Sequence, residues 1–178
     1  FTPPSRDSEF IFSQLSKNIE NACIKLRRYH QATPSAHFIL RTQDFHHTSL
    51  EIVLERPTNL PSEIIPRARA AFEKMVVKNR WYRATGVVFF NLVPMVIQDD
   101  LFGAAEKLKR LQALYKGADA VAKKFGKHSL FLGTSWQANK FKNHLTERGD
   151  EPERKNILFL GETNRKRLAI PLLIGVVV

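Results

Sequence analysis

The hydrophobic pattern of the first half of the chain changes period several times. Apolar residues spaced three and four apart predict a helix over about residues 8–30 and a second over about residues 59–79. Between them, residues 36–45 favour a strand and residues 48–57 alternate apolar with polar side chains, which predicts a hairpin. Residues 81–92, rich in aromatic and β-branched side chains, predict a last strand.

The order of these elements predicts an α+β fold. If residues 1–2 are the stub of a shortened first strand, the unit is βαββαβ, an antiparallel four-stranded sheet with two helices on one face. We assign residues 1–95 to this domain. Residues 96–178 form an extension with a helix over about residues 104–126, a short strand within residues 128–136, irregular polar sequence and a basic tail.

The charge of the chain indicates the chemistry of its partner. It has 28 Lys and Arg against 17 Asp and Glu, a formal net charge of +11, and the excess is shared by both halves. Such a chain attracts polyanions, and nucleic acid is the leading one. A generally basic protein without such a partner is the alternative.

The chain shows no signal for a membrane or for secretion. It has no run of 18 apolar residues, which a spanning helix requires, and no basic-then-apolar leader. Cys23 is the only cysteine, so no disulfide can form within the chain, which fits a reducing compartment. It lies on an apolar helix stripe, which predicts a side chain packed in the core. We expect a cytoplasmic protein, with Phe1 as the first residue of a fragment of a longer chain.

No catalytic or metal-binding constellation is evident in the sequence. There is no Gly-rich phosphate loop, no paired cysteines and no HExxH. His46 and His47 are adjacent, as are Asp99 and Asp100, so neither pair converges on one ion without distortion. The sequence therefore favours a binding module over an enzyme.

Several segments together resemble a known family. "FTPPSRD", "LSKNIENACIKLRRY", "FILRTQDF", "SEIIPRARAAFEKM", "YRATGVVFFNLVP" and "QDDLFG" are similar, in order and spacing, to the C-terminal region of Y-family translesion DNA polymerases of the UmuC/DinB class. The similarity covers residues 1–103 well and the rest loosely. It departs from the family at the shortened first strand and in the tail.

The resemblance implies a function in DNA repair and damage tolerance. In that family this region is the little finger, which grips template–primer DNA through the open face of its sheet. Palm, fingers and thumb belong to the same polypeptide, and the catalytic carboxylates and Mg²⁺ are in the palm. The fragment itself is then expected to be inactive, while its parent is a DNA-directed DNA polymerase, a nucleotidyltransferase.

Six polar residues at strand ends or on strand faces are the predicted DNA contacts: Arg41, Thr42, Gln43, Arg56, Arg83 and Thr85. At such positions arginine can neutralise phosphates and uncharged polar side chains can hydrogen-bond to them, without reading bases. The alternative is that they are merely solvated polar groups on a sheet.

The segment "QDDLFG" resembles the Q-x-x-L-F peptide by which family members bind the bacterial sliding clamp. Gln98, Leu101 and Phe102 match it. Gln98 offers a donor and an acceptor, and the two apolar side chains suit a concave pocket. In the alternative interpretation Asp100 caps the next helix and Phe102 packs on its first turn.

Two other functions compete with the polymerase interpretation. An RNA-binding module of the RRM type has a similar helix-covered sheet, but "RATGVVFF" lacks aromatics at its base-stacking positions. A protein-interaction domain that is basic by accident is the third.

Overall fold

A computed structural model of the chain describes residues 1, 3–96, 104–126 and 128–140. These residues fall within one compact unit. Its helices and strands, in chain order, are α1 (Ser8–Arg28), β1 (Gln31–Thr42), β2 (His47–Thr58), α2 (Pro61–Met75), β3 (Tyr82–Phe90), β4 (Val93–Pro94), α3 (Ala104–Phe125) and α4 (Trp136–Lys140), the last preceded by a 3-10 turn, Gly133–Ser135.

Helix α1 begins at a side-chain cap and buries one stripe. The Asp7 carboxylate accepts a hydrogen bond from the Glu9 amide at 3.0 Å, which satisfies a donor that the helix leaves unpaired. The buried side chains of its stripe include Ile11, Leu15 and Ile19. The spacing of these residues predicted the helix, and the prediction is confirmed.

Helix α2 begins without a side-chain cap on its N-cap residue, Leu60. Instead the Thr58 hydroxyl accepts from the Leu60 amide at 3.2 Å and donates to the Glu63 carboxylate. Pro61 occupies the first helical turn, where its missing N–H costs nothing.

The sheet is antiparallel and four-stranded, as predicted, with β1 between β2 and β3. The fourth strand, however, is β4, which pairs with the first residues of β1, and not the N-terminal stub that the βαββαβ order assumed. The N-terminal stub adds a single bridge, in which Ser5 and Tyr82 exchange two backbone hydrogen bonds of 2.8 and 2.7 Å.

One face of the sheet is covered by α1 and α2. Ala36, Phe38 and Leu40 of β1 are fully buried and belong to the same core cluster as the apolar stripes of both helices. Residues between them in β1 therefore lie on the other face. We call this second side the open face; it carries His37, Ile39 and Arg41, with Ser49 and Glu51 opposite them in β2.

The described part of the extension, residues 104–126 and 128–140, packs against the domain at two places. Helix α3 contacts the β2–α2 connection, where Leu108 and Tyr115 are buried with Leu60. Residues 128–140 lie along α1, and the Ser13 hydroxyl accepts a 2.8 Å hydrogen bond from the Ala138 amide.

The helix predicted over residues 104–126 is confirmed as α3. The strand predicted within residues 128–136 is wrong, because the chain forms the 3-10 turn and the start of α4 there. Within the described residues, no helix combines the length and apolar character needed to cross a membrane. The boundary at residue 95 stays a prediction.

Candidate nucleic-acid interface

The two ends of the sheet differ in chemistry. At one end of the sheet β1 ends, and the turn of residues 43–46 connects it to the start of β2. Strand β3 also begins at this end. This end gathers five side chains that we call the arginine–aromatic end: Arg6, Arg41, Phe45, Trp81 and Arg83.

Two arginines share one aromatic ring at this end. Arg41 lies on the open face, opposite His47 of β2 and Ala84 of β3. Its Cζ atom is 4.5 Å from the centroid of the Phe45 ring, and the Cζ atom of Arg83 is 4.6 Å from the same centroid. The attraction between a cation and the ring's electron-rich face holds both guanidinium groups in place without neutralising them.

A third arginine repeats this arrangement beside the first two. The Cζ atom of Arg6 lies 5.3 Å from the centroid of the Trp81 ring. The backbone joins the two sites, because the Gln43 amide donates to the Trp81 carbonyl oxygen at 2.9 Å.

Arg41 and Arg83 lack the carboxylate partners that arginines on the helix side of the sheet have. Arg56 is ion-paired with Glu63, and Arg67 with Glu55. Among the described residues, neither Arg41 nor Arg83 has a carboxylate within ion-pairing distance. The Nε atom of Arg41 is buried and also lacks a hydrogen-bond partner there.

The acidic residue in the turn is already occupied by other groups. Asp44 lies 3.5 Å from His46 and 3.7 Å from Arg80. A hydrogen bond with the Thr42 side chain is the main cause that lowers the pKa of the Asp44 carboxyl, so it stays ionised at neutral pH. Its charge is therefore directed at neighbours other than the two arginines on Phe45.

The structure brings together only part of the predicted DNA-contact set. Arg41 and Arg83 meet at Phe45, and Gln43 is exposed in the adjoining turn. Thr42, by contrast, is 1% exposed, and its hydroxyl donates to the His46 carbonyl oxygen.

Thr85 lies on the other face of the sheet, and Arg56 lies at the other end. Thr85 pairs with the core residue Leu40, and its hydroxyl accepts a 2.9 Å hydrogen bond from Asn18 of α1, so it faces the helices. Arg56 lies near the opposite end of β2, beside α2. We expected Thr42, Thr85 and Arg56 to lie on one open surface with Arg41. This placement is wrong for all three side chains. Whether Arg41, Gln43 and Arg83 bind DNA stays a prediction.

The middle of the open face has no aromatic side chain on β3. Its positions there are Ala84 and Gly86, opposite Arg41 and Ile39 of β1. The open-face aromatic of β3 is Phe90, which lies opposite Ser35 at the far end of the strand, beside the His37 ring. An RRM stacks bases on aromatics at the centre of its sheet, and the centre of this face has none on β3.

The predicted clamp-binding residues, Gln98, Leu101 and Phe102, lie outside the described residues. Shortly before them, within the described residues, the Met95 amide donates a 2.9 Å hydrogen bond to the His30 carbonyl oxygen. Among the described residues, no group of three or more His, Cys, Asp or Glu side chains is arranged to hold a metal ion.

Phe45, Trp81 and Arg6 were missed by sequence reasoning. The signal available was an aromatic residue inside the polar turn "QDFHH", between the two strands of the predicted hairpin. Its exposure follows from the turn geometry, which the hydrophobic pattern does not encode.

The fold and the uncompensated arginines define an α+β domain suited to a polyanionic ligand. Residues 1–101 match the model of the impB/mucB/samB family C-terminal domain. The chain therefore belongs to this family, the little finger domain of Y-family DNA polymerases, which is a DNA-binding domain. No match was found among curated proteins.

Proposed function

We propose that this chain grips template–primer DNA for a translesion polymerase, independently of sequence, through the arginine–aromatic end of its sheet. The observation that carries the proposal is the pair Arg41 and Arg83, which are held on one ring and lack carboxylate partners among the described residues. A guanidinium group that no carboxylate neutralises is free to bind phosphate oxygens.

Contacts of this kind suit a polymerase that copies damaged templates. Phosphates are the same at every position, so the grip does not depend on the state of the bases. Each phosphate that an arginine neutralises releases counterions, and affinity then falls steeply with salt. The catalytic step and its Mg²⁺ belong, in this proposal, to the palm of the parent polymerase.

The test is duplex binding by an Arg41→Ala/Arg83→Ala variant. We expect a loss of roughly tenfold per arginine at low salt, because each loses a charge-assisted hydrogen bond to phosphate. The slope of log K against log salt should flatten by about one unit per arginine, equally for unrelated sequences. Fluorescence anisotropy over a series of salt concentrations measures both quantities.

A matched control removes the same charge elsewhere. Arg56→Ala/Arg67→Ala deletes two arginines that are paired with carboxylates on the helix side. The control should bind DNA nearly as well as the wild type. Equal losses for the two variants would show that net charge alone drives binding, and the proposed interface would be rejected.

We also propose that "QDDLFG" tethers the polymerase to the bacterial sliding clamp. Support comes from the match of Gln98, Leu101 and Phe102 to the clamp peptide and from where the chain enters this segment. Met95 is bonded to His30 beside the start of β1, whereas Arg41 is near its end. At roughly 3.3 Å per residue the two places are about 30 Å apart, so the chain enters the segment well away from the proposed DNA-binding end.

Leu101→Ala/Phe102→Ala tests the tether. Burial of each side chain contributes about 1.5–3 kcal/mol, so their loss should weaken clamp binding by about 100-fold or more. Asp99→Ala/Asp100→Ala is the control, since these positions are variable in the peptide pattern. Surface plasmon resonance on immobilised clamp compares the variants, with DNA affinity and melting temperature measured in parallel. Normal clamp binding by the first variant, or its unfolding, would assign both residues to the core instead.

A further inference from the structure

Phe45 has a backbone conformation that its side chain disfavours. Its φ angle is +70°, in the left-handed region that glycine adopts readily and bulky residues rarely do. The turn is closed by hydrogen bonds from the Thr42 amide to the His46 carbonyl oxygen, at 2.9 Å, and from the Phe45 amide to the Thr42 carbonyl oxygen, at 3.2 Å. Strain of this kind is often retained where a side chain has a function.

Burial of the Phe45 side chain contributes little stability to offset this backbone strain. It is 56% exposed, although Arg41 and Arg83 both contact its ring. Trp81, whose carbonyl oxygen is bonded to the Gln43 amide of the same turn, is 47% exposed. Two exposed aromatic rings, each contacting arginine, therefore lie at one end of the sheet.

We propose that Phe45 and Trp81 are stacking platforms for unpaired bases of single-stranded DNA. This inference rests on the proposed DNA-binding function and adds to it a second kind of contact, made to bases rather than to phosphates. Arg41 and Arg83 neutralise the phosphates next to the stacked base. Every base has a π-face, so stacking is as independent of sequence as the phosphate contacts.

The ligand is single-stranded because a paired base is already covered by its neighbours. In a template–primer junction, unpaired bases occur in the template beyond the end of the primer. A combination of cationic groups with exposed aromatic rings is the usual chemistry of proteins that bind single strands. The arginine–aromatic end would therefore bind the junction, with its arginines on the backbone and its rings on the overhang.

Binding of three DNA ligands to the full 178-residue chain distinguishes contacts to bases from contacts to phosphates. The first is a blunt duplex, the second adds a single-stranded overhang, and the third replaces the overhang's bases with abasic spacers. We expect the overhang to raise affinity about tenfold over the blunt duplex and the abasic overhang to lose most of that gain, because it keeps only the phosphates. Equal affinity for normal and abasic overhangs would overturn the stacking proposal, whatever the duplex result.

Phe45→Gly provides the matching change in the protein. Glycine accepts the positive φ angle, so the variant should melt at or above the wild-type temperature. Because the Phe45 ring also holds Arg41 and Arg83, the variant should lose some blunt-duplex affinity as well. The readout is therefore the ratio of overhang to blunt-duplex affinity within the variant, which should lose most of its roughly tenfold gain. Retention of the full gain would contradict the proposal for Phe45. If the variant unfolds, the abasic comparison with the wild-type chain still decides.

Trp81 supplies an optical readout that a structural role would not affect. The chain has two tryptophans, so Trp136→Phe leaves Trp81 as the only one. Stacking should quench its fluorescence on addition of the normal overhang and not of the abasic one. Identical responses to both overhangs would contradict stacking at Trp81. Failure of the Arg41→Ala/Arg83→Ala variant to lose duplex affinity would instead reject the proposed function, so the two failures are distinguishable.

Discussion

The neighbours of an arginine decide what it can bind. Arg27 donates two hydrogen bonds of 2.7 Å to Asp119, and that pair fixes α3 to α1. Arg41 and Arg83 contact a ring instead, which leaves their positive charges without a carboxylate partner among the described residues. Both were identified from the sequence as arginines on predicted strands, but the ring that holds them together was not.

The threonine predictions failed because both side chains lie on the covered side of the sheet. Thr42 is two residues beyond the buried Leu40, and Thr85 pairs with Leu40. The pairing of β1 with β3 shifts between Arg41 and Thr42, so that Thr42 pairs with Tyr82 rather than with Arg83. Thr85 lies on the helix side of the sheet. The residue that the shift affects is Arg83, which has no partner of its own in β1 and contacts Phe45 although Thr85, two residues later, faces the helices. The face of such a residue cannot be assigned from alternation alone.

Glu20 yields a prediction on the pH dependence of stability. Burial is the largest cause that raises the pKa of its carboxyl above 4.5, although hydrogen bonds with Ser135 and Leu132 act in the opposite direction. The folded state therefore favours the protonated form. The stability that this form contributes is complete below about pH 4.5 and is lost as the pH rises through the elevated folded-state pKa.

Glu20→Gln should accordingly raise the melting temperature relative to the wild type more at pH 7 than at pH 4. Calorimetry at both pH values measures the difference. Glu51→Gln is the control, since Glu51 is exposed on β2 and should change little at either pH. An equal effect of Glu20→Gln at the two pH values would show that the charge of Glu20 is not the cause.

At the scale of elements, periodicity identified the helices well and the strand ends less well. The spacing of Ile11, Leu15 and Ile19 is a property of the helix itself, so the prediction of α1 needed no tertiary information. The start of β1 was missed because residues 31–35 include Thr33 and Pro34, which suggest a loop. They join the strand because β4 pairs with its start and the β1–β2 register shifts between Thr33 and Ser35.

The segment of residues 128–140 shows the same limit more strongly. Its apolar residues suggested a strand, yet it forms a 3-10 turn and α4 along α1. Polar partners from α1 stabilise it there, since Ser13 accepts from the Ala138 amide and Lys17 donates to the Ala138 carbonyl oxygen at 3.2 Å. Contacts between residues more than a hundred positions apart are not visible in a local pattern.

At the scale of the described domain, the two ends of the sheet have separate tasks in our account. Helix α3 covers the end where β1 begins, through Leu108 and Tyr115 against Leu60. The opposite end is the arginine–aromatic end, with its arginines and exposed rings. We propose that the net charge of +11 attracts DNA to the chain as a whole and that the arrangement at this end determines where it binds.

The most direct test of this account is a map of backbone amide chemical-shift changes on titration with duplex DNA. We expect the largest changes in residues 41–47 and 80–84, at the arginine–aromatic end, with little change along α2 or α3. The Arg41→Ala/Arg83→Ala variant should lose them at the same DNA concentration. Changes concentrated on α2 or α3, with the turn unaffected, would contradict the claim that this end of the sheet binds DNA.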